Sequence, residues 1–264
     1  MFMPMKLFGV LAAIFLLAAC QTTNFNFPSG QFTTSNPTKV SGLLFKPSGK
    51  GPFPAVVLLH TGGGFKGPVT DIWPHYLTGL GYVVLSVDTY GSRGVSHQAN
   101  RAFLFDSRKW QSLDAYGALY QLSKLPYVDG NRVAVIGFSE GANAINLNLV
   151  PFNFGKQKGK VDFKAAISFY GGCSRALYKY SENDIPLMQI VAEMDTLYSS
   201  DCVKIGNSTS MEVHVIKGAH HAFDNPIISS LRYDPGGHSM LYDSDATIES
   251  EKLTKAFLAK HLGR

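Results

Sequence analysis

Short apolar runs alternate with longer amphipathic stretches along most of this chain. The runs FPAVVLLH (53–60) and YVVLSVD (82–88) are almost continuously apolar, which is typical of strands buried on both faces of a parallel sheet. The stretch KVSGLLFKP (39–47), which precedes them, predicts an edge strand. Further strands are expected at 132–138, 164–170, 186–193 and 211–218.

Helical periodicity falls between these strands. Helices are expected at 70–81, 106–126, about 140–150 and 245–262. The alternation of strand and helix indicates an α/β fold with a doubly wound, mostly parallel sheet and helices on both faces. We see no internal repeat and no linker to a second domain, so one domain is predicted over 39–264.

The stretch GFSEG (137–141) directly follows a predicted strand and precedes a predicted helix. This context gives the G-x-S-x-G pattern its meaning, because a tight turn from strand to helix lifts the serine hydroxyl above the sheet. Free N–H groups at the helix N-terminus then favour developing negative charge. Gly137 and Gly141 are needed because a side chain there would collide with the neighbouring helix or strand. Ser139 is the candidate nucleophile.

A serine hydroxyl needs a base within hydrogen-bond reach and an acid that orients the base. In this architecture the order along the chain is Ser, then Asp or Glu, then His. Asp195 lies just past an apolar run and is the predicted acid. Glu193, Asp201 and Asp224 are its rivals in the sequence.

The base is expected where the strand at 211–218 runs into GAHHAF (218–223). This stretch contains two adjacent histidines, His220 and His221. Neighbouring residues in an extended loop point in different directions, so only one imidazole is expected to face Ser139. The residues alone leave the choice between the two histidines open.

An oxyanion hole requires two backbone N–H donors aimed at the tetrahedral intermediate. One donor is expected from Glu140, the residue after the nucleophile. The second is expected from the loop TGGG (61–64). We favour Gly62 there, with Thr61 and Gly63 as alternatives.

The same loop matches a dinucleotide-binding pattern. GGGFKG (62–67) satisfies G-x-G-x-x-G after a strand, and Asp88 ends the next strand. However, helical periodicity begins only near Asp71, after Pro68, so the third glycine does not open a helix. An oxidoreductase is therefore the weaker alternative. The sequence contains no H-E-x-x-H or C-x-x-C spacing, and we expect neither a metal nor a cofactor.

From about residue 40 to its C-terminus, the chain resembles the dienelactone hydrolase family of α/β-hydrolases. The resemblance rests on GFSEG, VAEMD (191–195), GAHHAF, VDTYGSRG (87–94) and HSMLYDSDA (238–246). It implies the α/β-hydrolase fold and cleavage of a small-molecule ester or lactone through an acyl-enzyme, with the family's serine branch supplying the nucleophile. The family pattern Gly-Ala-x-His-x-Phe selects His221 as the base. A peptidase, an acyltransferase and a non-catalytic envelope lipoprotein stay as alternatives.

The resemblance also makes Arg93 a candidate for holding a substrate carboxylate, with anchoring of its own loop as the alternative. The lactone hydrolases carry a second Arg shortly after the catalytic His, where this chain has DNP (224–226). This departure argues against a dienelactone as the substrate.

The first twenty residues contain one Lys, then an apolar run, then Cys20. This is the layout of a secretory signal, and LAAC resembles the bacterial lipobox, whose cysteine is diacylated and becomes the new N-terminus. The resemblance predicts a signal peptide over 1–19, lipidation of Cys20 and a polar tether over 20–38. Gln21 after the cysteine favours the outer membrane, facing the periplasm. A plain signal peptide is the alternative.

Export would place the chain in a compartment that permits disulfides. Cys173 and Cys202 are therefore predicted to form a bridge, with two free thiols as the alternative. The net charge is +5 and the isoelectric point about 9.0, yet Lys and Arg occur in no run of five. Nucleic-acid binding is not expected, and no pattern in the sequence indicates an oligomeric state.

Overall fold

A mostly parallel sheet forms the centre of the molecule. The computed structural model describes residues 21–30, 37–97, 101–173, 177, 180–181, 184–196, 200–234 and 237–263. In this described part, the strands of the sheet are β1 (Gln21–Pro28), β2 (Lys39–Lys46), β3 (Phe53–Leu59), β4 (Val83–Asp88), β5 (Val128–Phe138), β6 (Ala165–Phe169), β7 (Leu187–Ala192) and β8 (Glu212–Ile216).

The strand order is β1-β2-β4-β3-β5-β6-β7-β8. Strand β2 pairs antiparallel with both β1 and β4, and the remaining pairs are parallel. A two-stranded ribbon of β9 (Arg232–Tyr233) and β10 (Ser239–Met240) follows β8 along the chain. The mostly parallel sheet predicted from the apolar runs is confirmed.

Helices cover both faces of the sheet. They are α1 (Trp73–Gly79), α2 (Arg101–Leu122), α3 (Glu140–Ala144), α4 (Val150–Phe152), α5 (Ser200–Ser208) and α6 (Ser244–Leu262), with π-helical turns at Pro68–Ile72 and Ile145–Leu149. Apolar residues of α1 and α6 pack on one face, and those of α2, α5 and the segment from α3 to α4 pack on the other. None of the helices in the described residues is long and apolar enough to cross a membrane.

Strand β3 shows why the central strands lack an alternating pattern. All seven of its residues are buried. Ala55, Val57 and Leu59 belong to the core on one face, and Val56 and Leu58 belong to the core on the other. Because helices cover both faces, every position of the strand favours an apolar side chain.

The prediction of a polar tether over 20–38 is wrong for residues 21–28. Those residues form β1, which pairs with β2 and so takes the edge position that we predicted for 39–47. The pairing is stabilised by Phe25 and Phe27, which lie two residues apart on one side of the strand and pack against the core. The alternating pattern that indicates a strand consists here of only two aromatic residues, Phe25 and Phe27. The predicted signal peptide and Cys20 lie outside the described residues.

The predicted disulfide between Cys173 and Cys202 is present, with a Cα–Cα distance of 5.2 Å. It joins the loop after β6 to α5, and α5 itself was absent from our predictions. The sequence of α5, SDCVKIGNS, contains serines and a glycine, which are weak helix formers. Covalent attachment through Cys202 and burial of Ile205 compensate for this weak propensity.

Candidate active site

The turn from β5 to α3 holds Ser139 in a conformation that few side chains adopt. Its φ and ψ are 51° and −103°, and its N–H donates to the carbonyl of Phe169 at 3.0 Å. A Cβ atom at Gly137 would meet the backbone of Gly141, and one at Gly141 would lie 2.5 Å from the carbonyl oxygen of Leu59. The expected steric need for both glycines is confirmed.

The structure brings Ser139, Asp195 and His221 together at the carboxyl ends of three strands. The Nε2 atom of His221 lies 2.9 Å from Oγ of Ser139, and its Nδ1 lies 2.5 Å from Oδ2 of Asp195. Asp195 and His221 are both buried. A carboxylate only accepts hydrogen bonds, so the imidazole proton lies on Nδ1 and Nε2 accepts the serine hydroxyl.

The rival residues face elsewhere. The Glu193 carboxylate accepts the N–H of Gly218 at 2.8 Å, and Asp201 is exposed and pairs with Lys204. Nδ1 of His220 lies 2.9 Å from Oγ of Ser239. Only His221 of the two adjacent histidines is therefore within reach of the serine.

Asp224 supports the ring that packs against His221. The Tyr170 ring meets the His221 imidazole edge-on, with centroids 4.8 Å apart. Asp224 accepts hydrogen bonds from the Tyr170 hydroxyl at 2.8 Å and from Nε1 of Trp73 at 2.7 Å. Burial raises the pKa of the Asp224 carboxyl, and the hydrogen bonds from Trp73 and Tyr170 oppose that rise. The stretch DNP thus contributes a buried acceptor to this site.

Several residues with strained backbone conformations lie next to the His221 imidazole. Among the described residues, four that are not glycine have positive φ, and three of them are Ser139, Tyr170 and Ala222, with φ of 51°, 40° and 55°. Ser139 and Tyr170 contact His221, and Ala222 follows it in the chain. Such conformations persist only where the surrounding structure enforces them, as happens most often at functional sites.

His238 also lies at this site, although it is not among the residues predicted from the sequence. Its Nδ1 lies 3.4 Å from Oδ1 of Asp195 and 2.5 Å from Oγ1 of Thr196. Its ring stacks on that of His221 with centroids 5.1 Å apart. The two oxygens of Asp195 therefore face two different histidines. The only signal in the sequence was the position of His238 at the start of HSMLYDSDA.

The segment that carries His238 also braces the two loops of the site. The N–H of His221 donates to the carbonyl of Ser239 at 2.9 Å. The hydroxyl of Ser239 donates to the carbonyl of Met194, also at 2.9 Å. Ser239 thus connects the loop of His221 to the loop of Asp195, and it fixes their separation.

The loop after β3 is ordered by its own hydrogen bonds. Nδ1 of His60 lies 2.7 Å from the carbonyl of Thr61, and burial lowers the pKa of His60 to about 4, so the ring is neutral at neutral pH. The N–H of Gly63 donates to Oγ1 of Thr61 at 3.1 Å. Because Gly63 is engaged within the turn, Gly62 is the better candidate of the two for an oxyanion donor.

The backbone N–H of Glu140 opens helix α3. The first N–H groups of a helix have no acceptor within the helix, so this donor can serve a ligand above the turn. The Glu140 side chain is buried against α2, where it accepts hydrogen bonds from Oγ of Ser107 at 2.8 Å and Nε of Arg108 at 3.1 Å. These contacts fix the first turn of α3.

Arg93 is engaged within its own region of the protein. It donates to both carboxylate oxygens of Asp114, at 2.8 and 3.0 Å, and to the carbonyl of Thr89 at 2.9 Å. Its guanidinium also lies over the ring of Trp110, 5.0 Å from the centroid. The structure therefore favours the loop-anchoring alternative for Arg93 over the predicted contact with a substrate carboxylate.

Asp195, His221 and His238 each offer a possible metal-ligand atom, and these atoms lie within 4.8 Å of one another. Two of the three residues already share the hydrogen bond between Asp195 and His221. A metal ion bound by this group would compete with that bond, so the cluster offers no separate metal centre.

Sequence comparison places this chain among known hydrolases. A family model described as "Dienelactone hydrolase family" matches residues 40–262. Esterase FrsA of Klebsiella pneumoniae is 33% identical over 116 residues, a match that includes 43% of this chain and 26% of FrsA. The matched region is thus about a quarter of the length of that curated relative.

Two solved structures share the fold over most of their length. One is described as m3DLH, with a TM-score of 0.70 and 18% identity over 92% of this chain and 99% of the other. The second is a dienelactone hydrolase-like promiscuous phosphotriesterase, P91, from metagenomic libraries, with a TM-score of 0.67 and 22% identity over the same shares. The predicted α/β-hydrolase fold is confirmed.

The contact between Arg93 and Asp114 yields a prediction about stability. Replacing Arg93 by Ala leaves the buried Asp114 carboxylate with Ser29 as a donor, and we expect the free energy of unfolding to fall by about 3 kcal/mol. Urea unfolding measures this change, and Arg232→Ala at an exposed position is the control. An unchanged free energy of unfolding with a raised KM for carboxylate-bearing substrates would assign Arg93 to substrate binding.

Proposed function

Because the chain belongs to the dienelactone hydrolase family, we propose that it is a serine hydrolase that cleaves carboxylic ester or lactone bonds through an acyl-enzyme. The observation that supports this most directly is the unbroken line of hydrogen bonds from Ser139 through His221 to Asp195. This arrangement pairs a weak nucleophile with a base and an acid in the roles that acyl transfer requires.

The proposed reaction has two halves. Oγ of Ser139 attacks the carbonyl carbon while Nε2 of His221 takes the hydroxyl proton, and Asp195 stabilises the imidazolium through Nδ1. His221 then gives the proton to the departing alkoxide, which leaves as an alcohol, and the acyl group stays on Ser139. A water molecule next loses a proton to His221 and attacks the acyl carbon, which releases the acid and restores the serine.

Negative charge on the tetrahedral intermediate requires donors that are already in place. We assign these to the N–H groups of Glu140 and Gly62. The first opens helix α3, and the second lies in the turn that is ordered by Thr61. Removal of one such donor in a characterised protease costs roughly 3–4 kcal/mol of transition-state stabilisation.

We infer that the substrate bears no carboxylate that needs an arginine partner. Arg93 is paired with Asp114, and the stretch after His221 carries Asp224 in place of a second Arg. A neutral ester or lactone fits this site better than a dienelactone with its carboxylate. A peptide substrate or transfer of the acyl group to an alcohol would use the same residues. A panel of esters, lactones and peptides, assayed with and without an added alcohol as acceptor, distinguishes these reactions.

A second prediction concerns Ser139 and His221. Wild type should react with a fluorophosphonate probe and hydrolyse a short-chain p-nitrophenyl ester, whereas Ser139→Ala should do neither. His221→Ala should lower kcat by roughly 10⁴-fold or more, because the serine then lacks its base. The matched variant His220→Ala should keep most of the activity, since His220 contacts Ser239 and not Ser139.

Two outcomes would contradict this assignment. If His220→Ala abolished turnover and His221→Ala did not, the base would be His220. If wild type neither reacted with the probe nor hydrolysed any member of the panel, the catalytic proposal would be wrong and a non-catalytic envelope lipoprotein would take its place.

His238 should act as a positioning residue for the base. In His238→Phe, a ring can still stack on His221 but the polar contacts with Asp195 and Thr196 are lost. We expect kcat to fall roughly tenfold with little change in KM, because a misplaced base slows the chemistry more than it weakens binding. His214→Gln, on β8, is the control. An unchanged kcat would remove His238 from the mechanism.

We also propose that residues 1–19 are a signal peptide and that Cys20 is lipidated, which would hold the protein in the cell envelope, at the outer membrane and facing the periplasm. The disulfide between Cys173 and Cys202 supports an oxidising compartment. Cells fed a labelled palmitate should incorporate it into wild type and not into Cys20→Ala. Label retained by Cys20→Ala would show that Cys20 is not the acylated residue.

A further inference from the structure

The two edges of the sheet differ in charge. The catalytic edge is the edge that holds Ser139, Asp195 and His221, at the carboxyl ends of the parallel strands. Six lysines lie at the opposite edge, and we call them the basic edge: Lys46, Lys50, Lys124, Lys158, Lys160 and Lys164. All are exposed except Lys46, which is partly buried.

The order of elements along the chain places these lysines together. Lys50 lies in the connection from β2 to β3, and Lys124 lies between α2 and β5, so both precede the amino end of a strand. Lys164 directly precedes β6, and its N–H donates to the carbonyl of Val133 near the start of the paired region of β5. Lys158 and Lys160 lie in the loop that leads to Lys164.

This loop is held in place by helix α2. The hydroxyl of Tyr120 accepts the N–H of Gln157 at 2.6 Å, and the hydroxyl of Tyr116 donates to Asp162 at 3.0 Å. The tyrosines fix the loop on both sides of Lys158 and Lys160. The basic edge is therefore a defined surface.

Acidic residues at this edge do not cancel its charge. Three of them already pair with other basic residues: Asp129 with Arg132, Asp162 with Lys156, and Glu212 with Lys260. A fourth, Asp184 before β7, accepts hydrogen bonds from the N–H and the hydroxyl of Ser181. Within the described residues, none of the six lysines of the basic edge forms an ion pair. At the catalytic edge, acidic side chains outnumber basic ones. The acids at the end of β4 and in the loops after β7 and β8 are Asp88, Glu193, Asp195, Asp224, Asp234 and Asp243, and the basic residues at the same edge are Lys39, Lys66, Lys217 and Arg232.

Strand β1 begins at the basic edge. Its first residue, Gln21, pairs with Lys46, and its last, Pro28, pairs with Lys39. Because β2 is antiparallel to both β1 and β4, β1 points the same way as the catalytic strands and ends toward their carboxyl ends. An eight-residue strand spans roughly 26 Å. Cys20 directly precedes Gln21.

We propose that the basic edge docks on an anionic phospholipid bilayer, with the catalytic edge pointing away from the membrane. The direction of approach rests on the lipidation proposed for Cys20, whereas the attraction of the lysines to anionic headgroups does not. Lysines held near such a surface contribute additively and act within about a Debye length. In this orientation Ser139 meets its substrate from the aqueous side, so the substrate class is a water-soluble ester or lactone and not a bilayer lipid.

The attraction can be measured without the lipid anchor. Residues 21–264 contain every described strand and helix. A protein of these residues should float with vesicles of equal parts phosphatidylglycerol and phosphatidylcholine, and it should not float with pure phosphatidylcholine vesicles. High salt should release it. Replacing Lys158, Lys160 and Lys164 by Gln should weaken binding roughly hundredfold, at about fivefold for each lysine.

The control is a second triple variant with the same net charge as the first. Lys204, Lys252 and Lys255 are exposed on α5 and α6, and their replacement by Gln should leave vesicle binding close to that of wild type. Thermal melting of both triple variants checks that each is folded. Equal loss of binding in the two variants, or no binding of wild type to anionic vesicles, would overturn the proposal whether or not the protein hydrolyses esters.

The orientation is tested on the lipidated full chain in vesicles that contain brominated lipid. A fluorophore on Lys160→Cys should be quenched, because residue 160 lies at the basic edge. A fluorophore on Lys217→Cys, which lies past the carboxyl end of β8, should not be quenched. Quenching at 217 in place of 160 would reverse the orientation and point to a substrate taken from the bilayer.

Discussion

The close approach of β5, α3 and β3 at two glycines is the constraint on which the site depends. Gly137 and Gly141 have no Cβ atom, and neighbouring backbone lies where a Cβ would be. The chain can therefore reverse its direction within the few residues around Ser139. The reversal gives Ser139 its positive φ and places its hydroxyl 2.9 Å from His221. It also places the N–H of Glu140 at the start of a helix. The positions of the proposed nucleophile and of the proposed oxyanion donor thus follow from one steric condition.

Parallel strands bring the partners of Ser139 to it from distant parts of the chain. Asp195 follows β7 and His221 follows β8, and the register of β7 with β8 holds their loops side by side. The strand register brings these two loops together, and a few local contacts then hold Asp195 and His221 in position. Ser239 supplies such contacts by bonding to both loops, and Tyr170 supplies another by packing against the imidazole from the side of β6.

Much of this arrangement could be predicted from the sequence, because strand ends are marked by the change from apolar to polar residues. Ser139, Asp195 and His221 each stand just past such a change. By contrast, His238 lies in a loop whose path depends on tertiary contacts, and no local pattern places it beside Asp195. Strand β1 was missed for a related reason, since two phenylalanines are too short a signal to distinguish a strand from a polar tether.

Arg93 shows how a family pattern and a local environment can diverge. The arginine lies where the resemblance expects a substrate ligand, yet Asp114 on α2 and the carbonyl of Thr89 occupy its donors. An arginine so engaged can hold a substrate carboxylate only by leaving a buried acid behind, which is costly. Arg93 is therefore not free to bind a substrate carboxylate. The lysines of the basic edge lie at the opposite end of the sheet from Ser139, too far away to contact a group bound beside its hydroxyl.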